Sequence, residues 1–222
     1  MGIMKALRTF CRASPASIFI LLSLFGCSGS KANEHKKALK SEDPEVRASA
    51  AIRLAEMGEE ADPYIPEIIP LLKDADPKVR MAAANSLATF GHKAKDAAAD
   101  MASLVDDSDE DVQKVGLVGL AAIGAGKELG SVAKRLLKSK SVNIRMVTAM
   151  TLSEIGPSAS AAVPALAKTL YDPDPNVRLY SAIALGNMGK KAAPALPALN
   201  AAAGDSVPFV RTAAKEALSK VQ

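Results

Sequence analysis

Two short runs of oxygen-bearing side chains carry the spacing of a cation loop. In "DDSDED" they are Asp107, Asp109 and Asp111, and in "DPDPNV" they are Asp172, Asp174 and Asn176. A calcium loop of this kind needs a glycine at its sixth position for the sharp turn and a bidentate glutamate at its twelfth. Those places hold Val112 and Val118 in one run and Val177 and Ile183 in the other, so neither run closes a calcium shell. Imidazole chemistry is equally thin. The two histidines, His35 and His92, stand apart, with no further ligands at zinc spacing around either. The chain also lacks a nucleophile elbow and a phosphate-cradling glycine loop. These residues predict no metal, no cofactor and no enzymatic activity.

The remaining reactive side chain is a thiol. Residues 1–26 begin with a basic stretch (Lys5, Arg8, Arg12) and continue with an apolar run from Ile18 to Phe25, which is the layout of a secretory signal peptide. The run is too short to span a bilayer comfortably. "LFGC", ending at Cys27, resembles the bacterial lipobox, with Leu24 and Gly26 in the expected places and Phe25 bulkier than the usual residue. That resemblance implies a mature chain starting at Cys27, acylated there with palmitate-type chains as a membrane anchor. Ser28 resembles the sorting residue of the outer-membrane class. The expected location is therefore the bacterial cell envelope, lipid-anchored at the outer membrane and facing the periplasm. Cys11 would leave with the leader, so the mature chain would hold no thiol for a disulfide. Residues 27–33 read as the lipidated terminus and a flexible tether.

Both aspartate runs recur in a larger pattern, and that pattern says what positions them. "DPEVRASAAIRLAEMG" starts at Asp43, "DPKVRMAAANSLATFG" at Asp76, "DEDVQKVGLVGLAAIG" at Asp109, "SVNIRMVTAMTLSEIG" at Ser141, "DPNVRLYSAIALGNMG" at Asp174 and "VPFVRTAAKEALSKVQ" at Val207. The starts are separated by 33, 33, 32, 33 and 33 residues, a period that signals a repeat architecture. Each copy writes its own helix: Asp or Ser to cap free N–H groups, Pro at the first position, and Gly to stop. Apolar residues at offsets 3, 7, 11 and 14, such as Val46, Ala50, Leu54 and Met57, build one stripe. The connecting segments predict a second helix per unit, with Pro66, Pro164 and Pro197 in its first turn and Pro70 deep enough to bend it. One such hairpin cannot bury its own apolar face, so the units must stack.

The pattern D-P-x-V-R-x-x-A-A-x-x-L-x-x-[MFI]-G resembles the short HEAT-like repeat found in phycobilisome lyases. The resemblance covers residues 34–222 and implies an all-α, right-handed α-solenoid of about six helical hairpins, usually a surface for binding other proteins. Deoxyhypusine hydroxylases, also HEAT-like, hold iron with His-Glu pairs, and this chain has no His-Glu dipeptide.

Within this register, Arg47, Arg80, Arg145, Arg178 and Arg211 form one column, with Gln113 as the single substitution. A guanidinium there can reach capping carboxylates and turn carbonyls of its own or the neighbouring unit, giving a structural ladder; a ligand-binding arginine row is the alternative. Aspartate also alternates with serine in the two capping columns, which suits hydrogen-bond capping better than metal binding. Offsets 5 and 9, with Asn187 further along one copy, should point away from the stripe. They hold Ala48, Ile52, Met81, Asn85, Lys114, Val118, Met146, Met150, Leu179, Ile183, Thr212 and Glu216. Such a Met-rich surface suits an adaptable protein or peptide contact, and the competing reading is packing between adjacent units. The last copy shows no separate polar capping helix, and Val207, Phe209 and Val210 are expected to leave an exposed apolar end.

Overall charge is +4, but residues 1–40 hold +6 of it, leaving residues 41–222 at −2. That balance argues against a nucleic-acid partner. The expected function is a membrane-anchored interaction module or scaffold. The alternatives are an architectural envelope component without a discrete ligand and an accessory chain of the lyase type.

Overall fold

The computed structural model describes residues 31–222; the leader, the lipobox and Cys27 lie outside the described residues. Every regular element among them is helical. Six long or paired helices follow the six copies of the repeat. After α1 (31–38) come α2 (Pro44–Glu56), α4 (Pro77–Phe90), α6 (Glu110–Ala122), α8 (Val142–Ile155), α10 (Pro175–Asn187) and α12 (Pro208–Val221) as the long helices. Between them lie the shorter α3 (Ile65–Ile68), α5 (Ala98–Ser103), α7 (Gly126–Leu136), α9 (Val163–Thr169) and α11 (Leu196–Ala202). Each long helix packs on the next, each short helix packs on the long helix of its own hairpin, and one continuous core runs between the two layers. The array is thus an all-α solenoid of six hairpins.

The caps fall where local chemistry dictates. Asp43, Asp76, Asp109 and Asp174 accept backbone N–H groups of the first turn, and Ser141 does so with its hydroxyl. Val207 has no side-chain acceptor, and its helix starts without one. At the other end Gly91 has φ +58° with ψ −136°, a conformation essentially closed to L side chains, which is why glycine closes the copy there.

The buried stripe is wider than offsets 3, 7, 11 and 14. Besides the small residues expected at offset 7 (Ala50, Ala83, Gly116, Thr148, Ser181, Ala214), those at offset 10 (Ser86, Gly119, Thr151, Ala184, Ala217) are buried, letting neighbouring helices approach closely. A Cβ on Gly116 would stand 2.6 Å from Leu104 Cβ, and one on Gly186 3.0 Å from the Ala217 backbone. At offset 7 the hydroxyls are satisfied: Thr148 Oγ1 donates to the Ile144 carbonyl, and Ser181 Oγ shares a 2.7 Å hydrogen bond with Thr169 and also donates to the Val177 carbonyl, whereas Ser86 Oγ at offset 10 is buried without a partner among the described residues.

Four expectations are corrected. Val46, placed in the stripe, is 41% exposed among the described residues, whereas its equivalents Val79, Val112, Ile144, Val177 and Val210 are buried. It sits at the first hairpin, beside an open cleft shared with α1, and has no preceding unit to cover it among the described residues. The second helix of the units is not one helix: four connections enter through a 3-10 turn (Gly58–Tyr64, Gly91–Ala97, Gly156–Ala162, Gly189–Ala195). Pro66, Pro164 and Pro197 stand at the start of the α-helices that follow, and Pro70 ends α3 in a further 3-10 segment (Ile69–Lys73) instead of bending it. Residues 31–33, assigned to the tether, are helical, and Ala32 is buried in the core. Finally, Val210 is buried, not an exposed end, and α12 turns Lys215, Glu216, Ser219 and Lys220 to solvent; only Phe209 of the apolar trio is exposed.

Candidate functional site

The arginine column builds a fixed joint between units. Arg47 sits at the start of α2, where its Nε and Nη2 donate to the two carboxylate oxygens of Asp74, both at 2.7 Å. Its Nη1 donates to the carbonyls of Ser41 and Glu42 in its own turn. Arg80 forks onto Asp107, Arg145 onto Asp172 and Arg178 onto Asp205 in the same way, in each case 27 residues along the chain. The aspartate also accepts the backbone N–H two residues later, so one carboxylate closes its own turn and holds the previous unit. The arginine side chains are 12–17% exposed and the aspartates 7–10%, enough shelter for bidentate pairs to count. Hydrogen bonding from Arg47 holds the Asp74 carboxyl below its usual range, and Arg178 does the same for Asp205. Burial pushes Asp107 upward, but Arg80 and the N–H of Asp109 outweigh it and the net shift is down.

The same geometry accounts for the oxygen-rich runs. Asp107 and Asp172 are taken by arginine forks, Asp109 and Asp174 by helix caps, and no group of three potential ligands converges among the described residues.

Two members depart from the ladder. Arg211 donates only to the carbonyls of Asp205 and Ser206. Gln113 reaches the Asp107 carbonyl through its amide, and the position facing it in the next unit is Ser139, whose hydroxyl caps the turn as the aspartates do. Arginine and aspartate are therefore missing together at one junction, between the third and fourth hairpins. There the repeat is 32 residues long instead of 33, α7 runs as a single α-helix, and α6 and α8 touch most sparsely of the successive long helices. A cleft of about 430 Å³ opens at that junction, lined by His92, Val118, Ala121, Ala122, Gly124, Glu154, Ile155 and Ser158. His92 lies so close over Gly124 that a Cβ there would be 2.3 Å from its ring.

The candidate binding face divides by column. At offset 5, Ala48 is buried, Met81, Lys114, Met146 and Leu179 are half-buried, and Met81 and Leu179 pack on the core; only Thr212 is exposed. At offset 9, Ile52 is 43% and Val118 47% exposed, Asn85 and Glu216 are exposed, and Met150 and Ile183 are half-buried. Ile52 and Asn85 line a second, smaller cleft of about 140 Å³ with Glu56 and Thr89. Asn187 is exposed and stitches neighbours, donating to the Ser153 carbonyl and accepting from Lys220. The open face is thus the offset-9 row and the clefts beside it, while the offset-5 row is shared with packing between units.

Summed charge conceals a division that the hairpins reveal. Residues 31–122 hold 12 Lys and Arg against 18 Asp and Glu, and residues 123–222 hold 13 against 6. The division falls at the junction that lacks its rung.

A family profile described as HEAT repeats matches residues 33–121 and 129–219, breaking at that same junction. No curated protein matches the chain. Among solved structures, an engineered protein is 24% identical with a TM-score of 0.66, over 86% of this chain and 96% of its own. A designed armadillo repeat protein in complex with peptide (KR)4 is 21% identical with a TM-score of 0.66, over 85% and 98%. The complex of CpcE and CpcF of phycocyanin lyase from Nostoc sp. is 20% identical with a TM-score of 0.59, over 71% and 65%.

Proposed function

We propose, for a chain that belongs to the HEAT-repeat family, that it is a non-enzymatic interaction module, held at a bacterial envelope membrane by lipid on Cys27, that captures a protein or peptide partner along its long helices. The observation that carries the reading is the offset-9 row. Ile52 and Val118 are a little under half exposed on helices whose other large aliphatic side chains, Val46 apart, are buried or half-buried, and both border clefts. Ile, Val and Met in a row spaced by the repeat offer a partner helix or extended segment successive apolar contacts on a surface that needs no reordering. A designed armadillo protein of similar fold holds a peptide, which is consistent with this use. Similarity at that level of identity shows the fold and leaves the partner to experiment.

Two measurements test the proposal. Val118→Glu with Met150→Glu should abolish capture of a stoichiometric partner from envelope extract while leaving helicity and melting unchanged. Capture that persists would refute the offset-9 face as the binding surface, and recovery of only large insoluble assemblies with both forms would refute discrete binding and favour an architectural role. Mass analysis of the mature N-terminus, wild type against Cys27→Ala, should show acyl chains only with the cysteine. An unmodified Cys27 would refute the anchor.

A further inference from the structure

On the layer of short helices, opposite charges usually bridge one hairpin to the next. Lys36 pairs with Glu67 between the first and second hairpins, Lys73 with Asp100 and Lys93 with Asp62 between the second and third, and Arg135 with Asp106 between the third and fourth. Between the fourth and fifth, as between the fifth and sixth, no such pair forms among the described residues. A cleft of about 240 Å³ between α7 and α9 is lined by Lys134, Lys138 and Lys168, with Pro164 and Ala165 as its apolar wall. None of the three ammonium groups makes a hydrogen bond or ion pair with any described residue.

The short helices that form the cleft offer them no free acid at pairing distance, and Asp106 of the preceding hairpin is taken by Arg135. Glu128, the sole carboxylate of α7, precedes Lys134 by six residues, which is not a helical pairing distance. Residues 156–171 contain no Asp or Glu, and Asp172 is committed to Arg145. The surrounding half of the array carries the 13-to-6 excess of bases, so the field of that half adds to the cluster, while the acidic excess lies in the other half. Three like charges gathered around one concavity repel one another, and an anion seated among them removes that repulsion and adds charge-assisted hydrogen bonds.

We propose that the cleft between α7 and α9 binds a phosphate group through Lys134, Lys138 and Lys168. Lysine serves here as a set of compact point charges, which suits a tetrahedral oxyanion approached from several sides. The phosphate group is either a free ion or the headgroup of an anionic lipid, and the chemistry of recognition is shared. The site does not depend on the long-helix face.

The test uses the full chain at constant ionic strength, titrated with inorganic phosphate and, separately, with vesicles of phosphatidylcholine with and without phosphatidylglycerol. Lys134→Gln/Lys168→Gln is compared with Lys127→Gln/Lys190→Gln, which removes equal charge outside the cleft lining. The cleft variant should lose roughly tenfold or more in affinity, the loss of at least one charge-assisted contact, while the control keeps wild-type affinity. Cleft-dependent binding of inorganic phosphate assigns a free ion; cleft-dependent binding of phosphatidylglycerol vesicles alone assigns a headgroup. Any contribution of the N-terminal segment to vesicle binding is common to all variants. Equal loss in both variants, or no loss in either, would overturn the proposal.

Discussion

Gln113→Arg with Ser139→Asp should build the rung that the third junction lacks. Each residue alone has little to gain. An arginine at 113 can keep the carbonyl contact that Gln113 makes to Asp107, but finds a hydroxyl where its neighbours find a carboxylate. An aspartate at 139 can cap the turn as Ser139 does, but leaves a sheltered charge without its partner. Together they can form the fork seen four times elsewhere, with two donor contacts of 2.7–3.0 Å to a carboxylate about 10% exposed or less. Two charge-assisted bonds in a half-sheltered site, discounted for solvent screening, give a coupling of about 1–2 kcal/mol. In a chain of this size that is a rise of about 3–6 °C in Tm for the double variant beyond the sum of the singles. A double-mutant cycle by denaturant unfolding at neutral pH measures it directly. Coupling within about 0.3 kcal/mol of zero would refute the reasoning, and would mean that the 32-residue spacing moves residue 139 out of reach of the fork.

Arg178→Ala, which strips Asp205 of its fork and two turn carbonyls of their donor, should cost about 2 kcal/mol of stability by the same denaturant assay. Acid should act through the same carboxylates. Asp74, Asp107 and Asp205 have folded values below the unfolded one, so their contribution is fully present above the unfolded value near pH 4 and is lost as pH falls through the folded values. Melting followed from pH 7 downward should therefore be flat until about pH 4 and then drop; a decline that begins near pH 6 would implicate other groups. Gly116→Ala should destabilise by about 1–3 kcal/mol in spite of alanine's better helix propensity, because the added methyl meets Leu104 Cβ at 2.6 Å. A neutral result would show that α6 can shift away from the short layer.

Local signals in the sequence were enough for the register. Asp at the cap, Pro in the first turn and Gly at the stop are each decided within a few residues, and they fall on the observed helix ends. What was illegible depended on neighbours in space. Val46 reads like Val79 in any periodicity count, yet only Val79 has a preceding unit over it among the described residues. The 3-10 entries share enough helical period with α-helix to pass as the same element. The substitutions at Gln113 and Ser139 stand in separate columns 26 residues apart, and become one event only once Arg47 is seen reaching Asp74 in the next unit. The offset-5 and offset-9 rows are equally apolar in sequence; burial separates them. Opposite charges in the two halves cancelled in the total, and the lysine cleft lay hidden in that cancellation.

In a stacked array each unit holds only its neighbours, so the strength of the whole under load is set by its poorest joint. The junction without a rung divides the molecule into two blocks of three hairpins, each still fastened internally by two arginine forks. Strain entering such an array from either end would concentrate at that seam and open it as a hinge. The two blocks could then swing as rigid arms, one acidic and one basic, without either losing its own core.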